Sequence, residues 1–317
     1  MAIALVLAPL SWVAGVWLLV ALGTQVPAVS AVLPWDLTTD GQMSWLRAAA
    51  APLGVLGATS LVLLLELAVR GWQASAARRL FVVPSASARV DLFYLVMRVA
   101  GGLHVAAFVL SFGTVFWIAR QIHTWLGVNL LRDAHWALQF VAVYLIHSLV
   151  FYWGHRLMHT RWFWSIHKVH HAAEELNVVT PLRNHPIDLV VMTVLHTGPA
   201  ALIGASPLVI LAHAGVNAVY QALVHSELHT PRRAALWDAI WITPAAHRLH
   251  HSSQPAHFNH NFGILTVWDR VFGTYLPPSA TATDLSYGVD DGAVYNRPQH
   301  MRELWANVGR WLGRGRP

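Results

Sequence analysis

The chain has 317 residues, of which 56% are apolar and only 11% charged. A soluble domain carries about 25% charge, and the mean hydropathy here is +0.46. A disordered chain, a nucleic-acid arm and an ordinary cytosolic enzyme are therefore disfavoured, and a membrane protein is expected.

The first apolar stretch runs from Met1 to about Leu22 without Lys or Arg. A secretory signal has a basic n-region, and none precedes this segment. It reads as a retained helix, although a cleavage-like AVSA at Ala28–Ala31 keeps a signal peptide as the alternative. The second stretch is Ala48–Val69, with Glu66 near its end. The third runs from about Leu92 to Ala119, with Arg98 near its start, and the fourth is Ala134–Trp153. Each approaches or exceeds the roughly 20 residues a helix needs to cross hydrocarbon. Ile187 to Val224 is apolar again. Gly198-Pro199 and Ser206-Pro207 should break it into pieces of about 12 and 18 residues, either a short helical hairpin or a buried re-entrant pair.

Basic residues set the orientation. Arg70, Arg78, Arg79 and Arg89 lie between the second and third spans, against Asp36, Asp40 and a single Arg47 between the first and second. Arg120 and Arg132 in the next loop weaken this bias without reversing it. The chain then re-enters the cytoplasm after Trp153, on the inner membrane if the source is bacterial. The net charge of +6 suits cytoplasmic loops facing anionic lipid. Ser279 to Asp290 reads as a polar loop. From Gln299 on, Met301, Leu304, Trp305, Val308, Trp311 and Leu312 recur at helical spacing, with Arg302, Arg310 and Arg314 elsewhere. That is a helix lying on the membrane surface or one packed on the protein body. The expected architecture is all-α: a transmembrane hairpin over 1–72, a basic cytoplasmic loop over 73–91, a catalytic region over 92–277, and a polar loop with an amphipathic helix over 278–317.

Cysteine is absent, which removes disulfides, thiolate metal sites, iron–sulfur clusters and a cysteine nucleophile. Histidine is the outlier: 20 in the chain, seventeen of them from His135 to His260. Four clusters stand out. They are His155-Arg-Leu-Met-His159, His167-Lys-Val-His170-His171, His225-Ser-Glu-Leu-His229 and His247-Arg-Leu-His250-His251. Helical residues three and four apart project from one face, so each cluster aims two or three imidazoles together. A single histidine on an apolar helix is usually a satisfied interior residue. Four such clusters on one side of the membrane point to metal. Neutral imidazole suits zinc, copper, iron and nickel, and ten imidazoles are enough for two ions with a position left open on each. Neither HExxH nor ExxH occurs, which argues against a zincin protease and a soluble carboxylate-bridged di-iron bundle.

At these residues the chain resembles the fatty acid hydroxylase/sterol desaturase superfamily of integral-membrane di-iron oxygenases, over about Ala134 to Pro277. HRLMH, HKVHH and HRLHH stand in the family's order. Leu182-Arg-Asn-His-Pro-Ile-Asp188 resembles its RxHPxE/D element, with Asp where many members have Glu. His260-Asn-Phe-Gly263 with Trp268-Asp-Arg-Val-Phe-Gly-Thr274 resembles its NYG…WDRxFGT ending, with Phe262 in the Tyr position. No family motif is readable before about Leu92.

The resemblance implies a cap of cytoplasmic helices over the spans, holding two irons. Zinc could replace them in purified samples. The implied ligands are His155, His159, His167, His170, His171, His225, His229, His247, His250 and His251. His185, Asp188, Glu227 and His260 are implied as orienting groups around them. Glu174, Glu175, Asp238 and Asp269 are further carboxylates able to receive an imidazole N–H, and Asp269 could instead pair with Arg270. His257 reads as a hydrogen-bonding residue. His104, His123, His135, His147, His196, His213 and His300 read as structural, with His147 able to line a substrate passage. The implied reaction is hydroxylation of a lipid C–H bond with O2 and two external electrons, or desaturation on the same scaffold. The partners are a membrane lipid and a separate reductase, ferredoxin or cytochrome-type donor, with no nucleic acid. The motifs set no oligomeric state. Two rivals remain at this point: a bis-His haem electron carrier and a divalent-metal transporter.

Overall fold

The computed structural model describes residues 39–99 (side chains from Gly54), 118, 121–125, 130–131, 133–228, 235–278, 285–297 and 300–311. The expected first span, most of the third, His104 and His229 lie outside these residues. Among the described residues the fold is helical, with two isolated antiparallel bridges, Trp241–Leu265 and Ser252–Tyr287, and no strand.

Helix α1 covers Thr39–Ala74 and kinks at Gly71, whose φ is 73°. Its Gly54–Ala74 part is one of two described segments long and apolar enough to cross a membrane; the other is Trp136–Met158, helix α4. Leu61, Leu64, Leu65 and Val69 on α1, and Leu138, Val141 and Leu145 on α4, are exposed. Such apolar exposure suits lipid contact and not water. Where a basic loop is expected between spans, the chain instead forms α2 (Ala76–Phe81) and starts α3 (Ala86–Val99). Ala76, Ala77 and Leu80 turn inward while Arg78 and Arg79 follow the polar side. A short amphipathic helix carrying two arginines is easily mistaken for a loop. Glu66, a charge inside an apolar helix, is fully buried. Its carboxylate accepts the Ala76 N–H at 2.5 Å and the Glu227 N–H at 3.2 Å. The carboxylate thereby takes up a free donor at the start of α2 and ties α1 to the distant chain segment at Glu227.

Helix α6 (Pro186–Leu202) and α7 (Pro207–Val224) form the expected pair of apolar pieces; the break at Ser206-Pro207 is observed and the one at Gly198-Pro199 is not. Pro199 lies inside α6. The helix ends at Gly204, whose φ of 77° lets the Gly204 and Ala205 N–H groups close back on Ala201 and Ala200. That left-handed ending favours glycine. The pieces are therefore 17 and 18 residues long. Ser206 caps α7 through its hydroxyl, which accepts the Val209 N–H. Helix α6 packs along α4, and α7 packs against α1 and α4. The α4–α6 approach is close at Gly154: a Cβ there would lie 2.4 Å from Leu195 Cδ1. The glycine thus brings α6 against α4 immediately beside His155.

The remaining helices are short: α5 (Trp164–His171), α8 (Ala235–Ile240), α9 (Pro244–His250), α10 (Thr266–Val271) and α11 (His300–Trp311). Helix α11 packs on α5. It turns His300, Leu304 and Asn307 inward and leaves Met301 and Trp305 exposed. The body-packed alternative for this helix is therefore the one observed.

One buried cation organises this part of the molecule. Arg183 has no exposed surface, and neither has Asp91. Its Nε–H donates to the Val169 carbonyl at 2.9 Å, on α5 next to His170. Its two Nη groups reach Asp91 at 3.3 Å, the Tyr295 carbonyl at 3.0 Å and Asn296 at 2.7 Å. Asp91 also accepts from Asn177 and Thr180. α3, α5 and the segment before α11 are thus joined by one guanidinium. Asp91→Ala should leave that charge buried and uncompensated, removing about 3–5 kcal/mol of stability. Thermal unfolding in detergent checks this, and an unchanged Tm would contradict it.

Candidate metal centre

The histidine clusters sit where helices end. His155 is in the last turn of α4, and His159 is its C-cap. His167, His170 and His171 lie along the short α5. His225 caps α7. His247 and His250 are on α9, with His251 as its C-cap. Thr243 starts α9, its hydroxyl accepting the Ala246 N–H at 3.3 Å, with Pro244 in the first turn.

These ends converge into two groups. The ligand atoms of His155, His159, His171 and His250 all lie within 4.8 Å of one another, and so do those of His170, His225, His247 and His251. The His167 ring stands 5.1 Å from each of His155, His159 and His171, so it belongs with the first group. Each HxxHH segment is divided between the groups. On α5, His167 and His171 face the first group and His170 the second. On α9, His247 and His251 face the second and His250 the first. Helical geometry dictates this division: residues four apart lie about 40° apart around the axis, while the third falls about 60° to the other side. His171 and His251 stack at 4.3 Å where the two groups meet. Of the ten sequence-derived ligand candidates, nine are thus brought together and His229 is outside the described residues.

Four Nδ1 atoms of the two groups are engaged. His155 Nδ1–H donates to the Phe262 carbonyl at 2.8 Å and His250 Nδ1–H to the His260 carbonyl at 2.7 Å. His225 Nδ1–H donates to the Gln221 carbonyl at 2.8 Å, and His167 Nδ1–H to Asp188 Oδ2 at 3.0 Å. A proton fixed on Nδ1 leaves the Nε2 lone pair free. In the first group Nε2 of His159, His167, His171 and His250 is buried without a hydrogen-bond partner. In the second, Nε2–Nε2 separations are 3.3 Å for His170–His225, 3.1 Å for His225–His247 and 3.1 Å for His247–His251. Hydrogen bonding serves this chain poorly, because His225 Nε2 can only accept and a neutral His247 has one proton to share. Two nitrogens bound to one ion at about 2.0–2.1 Å stand about 2.9–3.4 Å apart. The separations fit a nitrogen-coordinated metal ion.

Burial holds the rings neutral. It lowers His250 to about 3 and His225 to about 4. His159, His170, His171, His247 and His251 fall well below the usual imidazole value, first through burial and then through one another's charge.

The orienting shell differs from expectation at three residues. Glu227 touches no ring; it pairs with Arg70 at 3.0 Å and Arg79 at 2.7 Å. The helix ends at His225, so Glu227 swings away from the cluster face. His185 caps α6, accepting the Ile187 N–H on Nδ1, and donates from Nε2 to the Leu304 carbonyl at 3.0 Å. Both its nitrogens are used far from any ligand role. His260 serves through its backbone carbonyl and not its ring. Among the other carboxylates, Glu175 binds Arg79, Glu174 accepts from Asn296 and Asp238 accepts from Thr243. Asp269 does not pair with Arg270. It accepts the Phe262 and Gly263 N–H groups, both at 2.8 Å, and the Thr274 hydroxyl at 2.8 Å. A Cβ on Gly263 would lie 2.7 Å from Asp269 Oδ2, so only glycine fits there. Asn261, with φ 58°, ties the same loop to the Ala246 and Leu276 carbonyls. The Phe262, His260 and Gln221 carbonyls have no signature in sequence, because any residue supplies one.

Three of the remaining histidines also meet. His147 stands 4.7 Å from His196 and 4.4 Å from His213, between α4, α6 and α7. They form no third convergent group among the described residues. His135 caps α4, His123 meets the Leu202 carbonyl and His300 the Arg297 carbonyl, all structural roles.

Residues 140–274 match the family model described as fatty acid hydroxylase. Among curated proteins, an alkylglycerol monooxygenase of Danio rerio is 35% identical over 51% of this chain and 36% of its own length. The Xenopus tropicalis alkylglycerol monooxygenase is 32% identical over 50% and 36%. The ornithine lipid hydroxylase OlsE of Rhizobium tropici is 32% identical over 58% and 57%. The chain thus spans about a third to somewhat over half of these relatives. No solved structure matches it. The matched region carries all nine histidines that converge here, and the domain and these relatives support the fatty acid hydroxylase/sterol desaturase superfamily.

The neutral cluster has a consequence for acid stability. Imidazoles of the unfolded chain titrate near about 6.5, above the folded values. As pH falls the unfolded state takes up protons first, so stability present above about pH 6.5 is lost progressively towards about pH 4. In chelator-treated protein, Tm should drop steadily from pH 7 to pH 5. A flat Tm across that range would contradict neutral burial of the cluster.

Proposed function

We propose that this chain is a membrane-bound non-haem oxygenase that hydroxylates a C–H bond of a lipid and whose histidines would hold two iron ions through nitrogen alone. The observation that carries the reading is the pair of facing histidine groups inside a fatty acid hydroxylase domain. His155, His159, His167, His171 and His250 would hold one ion. His170, His225, His247 and His251 would hold the other. The names of the relatives, a monooxygenase and a hydroxylase, favour oxygen insertion over desaturation.

A bound iron pair supplies the oxygen-activating, one-electron chemistry that side chains lack. The chain supplies the rest. Asp188 and the Phe262, His260 and Gln221 carbonyls hold protons on Nδ1 and so keep Nε2 available. The Phe262 ring packs beside the first group, 5.0 Å from His159 and 5.6 Å from His250. The overall balance is RH + O2 + 2 e⁻ + 2 H⁺ giving ROH + H2O. The two electrons come from a separate reductase, ferredoxin or cytochrome-type donor docking on a basic cytoplasmic face. The lipid enters from the bilayer beside α4, since an acyl chain gains nothing by crossing water.

His170→Ala and His250→Ala each remove a nitrogen from a different group. Each should lower bound metal and abolish the hydroxylated lipid, as read by elemental analysis alongside lipid mass spectrometry under O2. Unchanged metal with unchanged products would remove the assignment.

A further inference from the structure

Beside the first histidine group lies a cavity of about 310 Å³, lined by Arg156, His159, Thr160, Asn259, Phe262 and Thr274. Its size is at the lower end for small-molecule sites, enough for a head group and too little for a whole lipid. Two of its walls, His159 and Phe262, belong to the centre described above. The third feature is a cation. Arg156 is half-buried, and no carboxylate among the described residues pairs with it.

The guanidinium is held in place. Nη1–H donates to the Tyr152 hydroxyl at 2.9 Å, and the group stands 5.4 Å over the Trp153 ring. Tyr152 is fully buried and its hydroxyl meets Thr274 Oγ1 at 3.0 Å. Thr274 in turn donates to Asp269. The carboxylate that fixes the Phe262 carbonyl for His155 thus also braces, two bonds further out, the cation in this cavity. Asn259 also lines the cavity and has a left-handed backbone with φ 62°, which asparagine adopts more readily than most residues.

The surroundings place the cavity at the level of lipid head groups. Trp153, Leu157 and Trp162 are exposed around the end of α4, and Arg161 stands 5.1 Å over Trp162. Tryptophan and arginine in this arrangement suit the boundary between acyl chains and water. A fixed, unpaired guanidinium with a planar donor fork is suited to an oxyanion and not to a neutral hydroxyl.

We propose that this cavity seats the anionic head group of the lipid substrate, a phosphate or a carboxylate, with Arg156 as its counter-ion. The inference rests on the hydroxylase reading and narrows its substrate to anionic lipids. A head group seated against His159 puts the attacked carbon within a few bonds of that head group, far from the tail end.

The test compares three oleoyl ligands on metal-loaded protein in neutral detergent, by native mass spectrometry: lysophosphatidate, oleate and oleyl alcohol. At least one anion should bind about tenfold more tightly than the alcohol. Which anion does so separates a phosphate head from a carboxylate. Arg156→Gln should remove the preference, Arg156→Lys should keep part of it, and metal content should not change in either. If Arg156→Gln fails to fold, Arg156→Met keeps the apolar stem over Trp153 and serves the same comparison. Equal binding of anions and alcohol by the natural protein, or an anion preference that survives loss of the guanidinium, would overturn the proposal. No turnover is needed, so this result is read separately from metal loading and oxygenation, on which the hydroxylase reading stands.

Discussion

Nine imidazoles converge between the ends of four helices, and burial disfavours the charged form of His159, His170, His171, His225, His247, His250 and His251. A neutral imidazole has one donor and one lone pair. Backbone carbonyls and Asp188 take the Nδ1 protons of four of them, and four Nε2 atoms of the first group have no hydrogen-bond partner. Nε2 atoms 3.1 to 3.3 Å apart suit nitrogens gathered around one ion better than a hydrogen-bond chain short of protons. That unmet demand is the constraint on which the rest of the structure depends. It accounts for the many buried polar groups that lie just behind the histidines.

The supports form two braces. Arg183 holds α5 from one side, through the Val169 carbonyl, and is itself balanced by Asp91. Asp269 holds the loop 261–263 from the other side and so aims the Phe262 carbonyl at His155. Both are fully buried charges with every strong partner supplied by protein. Neither touches a lone pair of the centre. They act by fixing where the imidazoles point, which is the usual task of groups standing behind metal ligands.

Much of the site was legible because helical spacing is a local property. HxxxH and HxxHH announce convergent imidazoles in any helix, and the RxHPxD and WDRxFGT elements announce their supports. The division of each HxxHH between two groups follows from helix geometry, but which group each residue joins depends on how α5 and α9 dock. Residues whose role passes through the backbone, such as Phe262, His260 and Gln221, carry no side-chain signal. Glu227 and His185 misled for opposite reasons. Glu227 lies within a ligand motif but beyond the end of its helix, where Arg70 and Arg79 claim it. His185 lies in a motif rich in metal-family character yet is consumed as a helix cap. The fold was legible where apolar runs are long, at α1, α4 and the α6–α7 hairpin. It was misjudged where an amphipathic helix is only six residues long, at α2, and where a proline sits harmlessly inside α6.

The most direct test of this account is X-ray absorption on the purified, full-length protein together with metal counting. The account predicts two transition-metal ions per chain, iron or zinc according to loading. Their first shell should contain nitrogen or oxygen at about 2.0–2.2 Å and no sulfur. A chain that folds, keeps its secondary structure and binds no stoichiometric metal after loading would contradict it.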